Sequence, residues 1–543
     1  TTTDRAFVLA SEGMSDVLSD LRSAVEKAAA SLGGTPKAPP ALERPRQADH
    51  GDYATNAAML LTKALGRPPR DIAGDLALAL GEGLGPDLER SEIAGPGFVN
   101  LVLSDGWHAR ALAGILDAGD AWGSTTPERV RSVNVEFVSA NPTGPIHVGG
   151  ARNAAYGDAL ARALTLAGHD VHREFYVNDY GSQIVMLGRS VQARARGEEL
   201  PEGGYQGSYI SDLAARIPDA AGMELEALSA RAVALMVETA RISLERFRVT
   251  FDTWFSEKAL HDENKVEHAF ELLDRQGRTF REDGALWLRT TELGDDKDRV
   301  IERATGEHTY FASDIAYHQD KRERGFDLLI DVWGADHHGY VPRMHVGFQA
   351  LGGAAEDLEL LIMQLVSLSD GGEQVRMSKR AGEFVTLDDL VDDIGVDAAR
   401  WYLLQRSHDT TIDLDLALAK QQSADNPVYY VQYAHARMAA ILRDTTAEPD
   451  PTPPAAPLHP SERALVRALL AWPEEAAEAA ARRSPHRIAT YVLDVAQTSA
   501  AFYRDCKVRG EPSEAFRVAV CLATKRTLAS ALQTLGVAAP DEM

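Results

Sequence analysis

The feature that most restricts the fold is the run from Val133 to Asp170, where an alternating segment, VNVEFV, meets NPTGP, then a histidine, two glycines and a long helical pattern. Val133, Val135 and Phe137 alternate with Asn134, Glu136 and Val138, which predicts a strand carrying a carboxylate near its carboxyl end. Two prolines and a glycine stop that strand and forbid immediate helix entry. Beyond them, Leu160, Ala163, Leu164 and Ala167 predict an apolar helix stripe closed by Gly168. A strand feeding a helix through a sharp turn belongs to parallel α/β sheets, whose ligands bind outside the carboxyl ends of the strands.

His147 stands where this helix should begin, among unpaired amides and at the positive end of the helix dipole, a setting that favours anions. Gly149 and Gly150, without side chains, let a bulky ligand approach the backbone. Two readings stay open at this level. The turn is a phosphate or nucleotide cradle with an imidazole donor, or the histidine only caps the helix.

Elsewhere the chain divides at composition breaks. LGGTPKAPPALERPRQADHGDY (32–53) reads as a loop, GSTTPERVRS before the strand as a boundary, and EPDPTPPAAPLHP (448–460) as a proline-rich linker that cannot continue a helix. Between 1 and 120 helices accompany a short strand at GFVNLVL. From 132 to about 400 the β-rich runs VNVEFV, VHREFYV, ALWLRT, TYFASD, LLIDVWG and LELLIMQLVSL alternate with helical ones. After Leu403 the pattern is helical.

With 543 residues, the chain has room for roughly three to four domains. No run of eighteen apolar residues exists and the first residues lack the pattern of a secretory signal, so a cytoplasmic location is expected. Cys506 and Cys521 are the sole cysteines, too few for a disulfide framework or a cysteine zinc site. A formal net charge of −25 argues against indiscriminate binding of polyanions. Any nucleic-acid partner must meet a local basic face, such as RRSPHR (482–487), YRDCKVRG (503–510) or RVRS (129–132), each of which also reads as solvated surface.

A second segment, SLSDGGEQVRMSKRAGEFVTLDDL (367–390), places a basic Met-Ser-Lys loop among glycines after an apolar strand-like run. Its cations, Arg376, Lys379 and Arg380, are mobile groups able to neutralise negative charge as it develops. PTGPIHVGGARNAAYGDAL resembles the HIGH motif of class I aminoacyl-tRNA synthetases, and RMSKR resembles the KMSKS loop that partners it. The longer run VEFVSANPTGPIHVGG…REFYVNDYGSQI is similar to that of arginyl-tRNA synthetases in particular. Gly150 stands where the motif has its second histidine.

The resemblance covers nearly the whole chain and carries further expectations. It implies a Rossmann-like parallel-sheet α/β catalytic domain with an insertion, flanked by an α+β N-terminal domain and an all-α C-terminal anticodon-binding domain. The expected divisions are 1–120, touching the tRNA elbow, then 121–405 with a connective insertion at about 185–300, and 406–543 with the proline-rich insertion 448–460. The expected ATP site comprises His147, Gly149, Gly150, Gly334, Asp336, His337, Met377, Ser378 and Lys379, with His147, Lys379 and Arg376 catalytic.

Arginine is a permanent planar cation that accepts no hydrogen bond, so its pocket needs carboxylates and hydroxyls. Glu136 and Asn141, Tyr310 and Asp314 in YFASD, Glu257 in FDTWFSE and Asp336 match the family's arginine-binding positions. Asp336, His337 and His338 together also read as a metal group, although the resemblance implies no protein-held metal and Mg2+ with ATP. Asp179 and Gln183 line the same cleft or the hinge of the insertion. Tyr429, Tyr430 and Tyr433 read equally as helix core and as stacking faces for unpaired bases. The implied activity is ATP-dependent activation of L-arginine and its transfer to tRNA(Arg), by a monomer without membrane contact. A paralogue serving a biosynthetic pathway and a silent RNA-binding paralogue stay open beside it.

Overall fold

A computed structural model describes residues 17–45, 50–374 and 385–543. At its centre is a five-stranded parallel sheet whose spatial order is Leu358–Met363, Leu328–Gly334, Ser132–Glu136, Asp170–Val177 and Thr253–Ser256. The strand read from the opening motif is therefore the middle one. Helices cover both faces of such a sheet, so Asn134 and Glu136 are buried along with Val133 and Val135. Polarity on this strand marks internal hydrogen bonding, and Asn134 Nδ2 donates to Glu174 Oε2 at 3.2 Å on the next strand.

The helix Val148–Leu166 follows, buried over most of its surface and not only along the expected stripe. The sheet packs on one side of it, while the helices Leu387–Leu404 and Trp472–Ala481 pack on others. Even Arg152, Asn153 and Asp158 are enclosed. Ala167 and Gly168 end it as the sequence predicts, with Gly168 at φ 87°.

Three β-rich runs turn out differently from their sequence reading. TYFASD opens the helix Tyr310–Glu323, because the Thr309 hydroxyl caps it by accepting from Ala312 N, and Phe311, Ile315 and Ala316 bury at helical spacing. ALWLRT supplies Ala285–Leu288 to a separate antiparallel three-stranded sheet with Thr279–Glu282 and Arg299–Glu302. LELLIMQLVSL splits at Gln364 and Leu365 into Leu358–Met363 of the central sheet and Val366–Asp370, which pairs with Ile412–Asp415 instead. Within the span 185–300 the strand Thr253–Ser256 returns to the central sheet.

The N-terminal part is a four-stranded antiparallel sheet with helices against it, and the described chain after the strand Ile412–Asp415 is helical, so the helical pattern expected from Leu403 on begins beyond that strand. One continuous apolar core joins all three parts, with Trp401 and Trp472 among its fully buried side chains. The proline-rich linker packs too: Leu458 is buried, and its N donates to Asp105 Oδ2 at 3.1 Å on the N-terminal part. Among the described residues no helix is long and apolar enough to cross a membrane.

Candidate active site

The turn after the middle strand is bent by strained backbone. Val138 and Ser139 adopt φ of 70° and 41°, a left-handed region that a β-branched residue almost never enters. Val138 N donates to Asn153 Oδ1 at 2.7 Å, and Ser139 Oγ donates to Glu136 Oε1 at 2.8 Å. Held in this way, the chain turns out over the sheet edge. Asn141 is exposed there, and its Nδ2 donates to Gln183 Oε1 at 2.9 Å.

His147 is the N-cap of the buried helix. Its Nδ1 accepts from Gly149 N at 3.0 Å and from Gly150 N at 3.4 Å. With Nδ1 an acceptor, the neutral ring carries its proton on Nε2. Capping and ligand contact are thus compatible, because capping uses only Nδ1. A Cβ at position 149 would stand 2.9 Å from the imidazole, so glycine there makes room for the ring.

Arg376, Met377, Ser378, Lys379 and Arg380 lie outside the described residues. Both flanks of their segment are described. The hairpin of Val366–Asp370 with Glu373–Gln374 precedes it. After it, Val148 N donates to Val385 O at 3.1 Å, Leu387 N donates to Ile146 O at 2.7 Å, and His147 and Thr386 form an antiparallel bridge. Residue 385 therefore lies against the histidine turn.

Two sets of acidic residues flank the carboxyl end of the sheet. In the first, Lys321 has no solvent exposure, and its Nζ donates to Glu136 Oε2 at 2.6 Å and Asp331 Oδ1 at 2.8 Å. Burial opposes the Lys321 charge, but Asp331, Glu136 and Glu174 outweigh it and lift its pKa. Burial likewise opposes the Asp331 charge, yet Lys321 and His318 hold that carboxyl at about 2. His318 faces only acceptors, Asp314 O at 2.7 Å and Asp331 Oδ2 at 2.8 Å, so both its nitrogens must donate and the ring is cationic. Asp331 raises its pKa against the effect of burial. Glu174 completes the set, receiving both guanidinium nitrogens of Arg324 at 2.6 and 2.8 Å and the Tyr317 hydroxyl at 2.6 Å.

The second set has no such partners. Glu257 is buried, and its Oε2 meets no hydrogen-bond donor among the described residues. Burial first, then repulsion by Asp314 and Asp179, pushes its pKa up to about 7. Asp314 accepts from the Tyr340 hydroxyl at 2.6 Å, and burial raises its pKa as well. Asp179 accepts from Ser256 Oγ at 2.6 Å and Lys258 N at 2.8 Å. No lysine or arginine side chain pairs with any of the three among the described residues.

Tyr310 is 68% exposed at the start of the Asp314 helix. Gly334 ends its strand, followed by Asp336, His337 and His338, all exposed, with His337 Nε2 3.5 Å from an Asp336 carboxylate oxygen. Lys321, His318 and Asp331 escaped the sequence reading. A signal existed, since Asp314, which ends YFASD, and His318 and Lys321 beyond it recur at helical spacing on one face.

Family models match along most of the chain: the arginyl tRNA synthetase N terminal domain at 19–103, the class I (R) tRNA synthetase catalytic domain at 112–214 and 223–438, and the DALR anticodon binding domain at 431–543. Among solved structures, a Campylobacter jejuni protein assigned as an arginyl-tRNA synthetase is 32% identical, with TM-score 0.76, over 81% of this chain and 100% of its own. Thermus thermophilus arginyl-tRNA synthetase shares 24% identity over 96% and 99% of the two chains, with TM-score 0.75. The Plasmodium falciparum arginyl-tRNA synthetase shares 17% over 97% and 98%, with TM-score 0.72.

Proposed function

The chain belongs to the arginyl-tRNA synthetases, and on that premise we propose how its residues divide the work of activating arginine with ATP and charging tRNA. As a ligase of this family it uses ATP, arginine and tRNA. The biosynthetic and silent readings are not favoured for a chain that carries all three family regions.

The observation that carries the substrate assignment is the unneutralised set of Glu257, Asp314 and Asp179. A carboxylate oxygen that is buried and unpartnered beside like charges is stabilised by a cation, and a guanidinium offers both charge and a planar fork of donors. Glu257 and Asp314 take the guanidinium with help from Tyr310. Glu136, Asn141 and Asp336 hold the α-amino end near the histidine turn.

The arginine carboxylate then attacks the α-phosphorus of ATP in line. His147 donates from Nε2 to the phosphate oxygens as charge spreads onto them, and Gly149, Gly150, Gly334, His337, Met377 and Ser378 line the nucleotide. Lys379 and Arg376 neutralise the departing pyrophosphate, and the pairing of residue 385 with the turn supports a basic segment acting there. The terminal adenosine 2′-OH of tRNA next takes the arginyl group from the adenylate. No protein nucleophile is needed, because orientation and electrostatics carry the rate. Mg2+ is proposed to enter with ATP, as part of the Mg·ATP substrate.

The proposed divisions are 1–120, 121–405 and 406–543, in a monomer that works in the cytoplasm, where Cys506 and Cys521 stay reduced. Arginine-dependent ATP–pyrophosphate exchange tests the assignment, run with and without tRNA and beside lysine and canavanine. Exchange specific to arginine is expected, and His147→Ala should lower kcat by roughly 100-fold with little change in arginine KM. Exchange with lysine as efficient as with arginine would refute the pocket.

A further inference from the structure

The small antiparallel sheet of Thr279–Glu282, Ala285–Leu288 and Arg299–Glu302 has two unlike faces. Leu286 and Leu288 turn inward with Ile301, toward the core that holds Phe311 and Ile315 of the Asp314 helix. Side chains alternate along a strand, so Trp287 faces the other way. It pairs across the strands with Phe280, and the two rings stack with centroids 6.1 Å apart and planes at 18°. Arg289, two positions beyond Trp287, lays its guanidinium 4.7 Å from the centre of the Phe280 ring. All three side chains are partly exposed, and neither ring belongs to the core behind the sheet.

Charge and position decide what this outer face suits. In a chain of net charge −25, the other arginines of the sheet region are neutralised, Arg278 by Glu292, Arg281 by Glu302 and Arg299 by Asp295. Arg289 stacks on Phe280 and pairs with no acid among the described residues. Stacked rings beside a cation with spare donors hold single-stranded nucleic acid, bases on the rings and phosphate on the cation. The face also adjoins the site. Trp287 pairs with Val300, whose O accepts from Thr309 Oγ1 at 3.1 Å, and Thr309 caps the helix that carries Tyr310 and Asp314. With neighbouring strands about 5 Å apart, the stack begins on the order of 10 Å from the head of that helix.

We propose that Phe280, Trp287 and Arg289 form a stacking platform for the unpaired nucleotides that precede the terminal adenosine of tRNA. This rests on the reading of the Asp314 pocket as the arginine site. The terminal ribose must reach the arginyl group formed there, so the single-stranded tail crosses the adjoining surface. Aromatic faces accept any base without a hydrogen-bond code, which suits a tail that does not distinguish one tRNA from another.

The test compares dissociation constants of the full chain, at one salt concentration, for intact tRNA(Arg) and for the same tRNA trimmed of its unpaired 3′ tail. The wild-type chain should prefer the intact form. Trp287→Ala should weaken intact tRNA roughly tenfold and Arg289→Ala roughly threefold, while trimmed tRNA binds both variants as it binds the wild type. Arg281→Ala removes the same charge from the same sheet without touching the stack, and should leave the preference for intact tRNA unchanged. Should Trp287→Ala not fold, Arg289→Ala carries the test, since that side chain only stacks. Equal wild-type affinity for the two tRNAs, losses shared equally by intact and trimmed tRNA, no loss on intact tRNA, or a loss of preference in Arg281→Ala matching that in Arg289→Ala would overturn the platform. Failure of the wild-type chain to arginylate intact tRNA would instead remove the functional reading beneath it.

Discussion

Two groups of carboxylates meet at the same end of the central sheet, and they differ in what faces them. Glu136, Asp331 and Glu174 are matched by Lys321, His318 and Arg324. Glu257, Asp314 and Asp179 meet hydroxyls and a backbone amide but pair with no lysine or arginine side chain among the described residues. Folding alone has balanced the first group, so it acts as a frame, at whose edge Glu136 is proposed to meet the α-amino end of arginine. The second leaves a deficit of positive charge, on which the proposed guanidinium site rests. Acids of the same type are thus set apart by their counter-charges.

The sharpest break of this contrast is Lys321→Met, which removes the cation between Glu136 and Asp331 and leaves His318 alone to pair with Asp331. It should cost about 3–5 kcal/mol in urea denaturation, as when one partner of a buried ion pair is removed. A cost below about 1 kcal/mol would mean that the frame does not depend on this charge. Asp314→Asn should do the reverse, leaving the unfolding midpoint near wild type while raising arginine KM on the order of 100-fold, through loss of a charged hydrogen bond. An unchanged arginine KM would put the guanidinium elsewhere.

The pH dependence sharpens the comparison with a smaller effect. Glu257 has its folded pKa raised from 4.5 to about 7, so the folded state holds the extra proton and that stabilisation is complete below about 4.5 and lost as pH rises through about 7. Arginine needs the ionised form, so its affinity should fall as pH drops below about 7, by up to roughly tenfold per unit. Glu257→Gln should flatten that profile and raise stability at pH 8 by about 1–3 kcal/mol, read by titration calorimetry and by denaturation. A wild-type arginine profile that is flat between pH 5 and 8 would return Glu257 to a purely structural role.

Much of this was legible in the chain. The middle strand, the turn, the helix start at His147, the helix end at Gly168 and the helical C-terminal part all follow from local pattern. TYFASD did not, because its aromatic and small residues suit either state and the Thr309 cap decided for helix. Lys321 looks like one more charge in HQDKRERG, and nothing local marks it as fully buried.

The sequence by itself determined the local conformations, the acids and cations available, and the order in which they arrive along the chain. These depend on side-chain chemistry and on spacings of a few residues. Only the tertiary structure decided which acids are neutralised. Lys321 meets Glu136 across 185 positions and Arg400 meets Asp158 across 242, and the cost of leaving a charge unpaired is set by the burial that those meetings create.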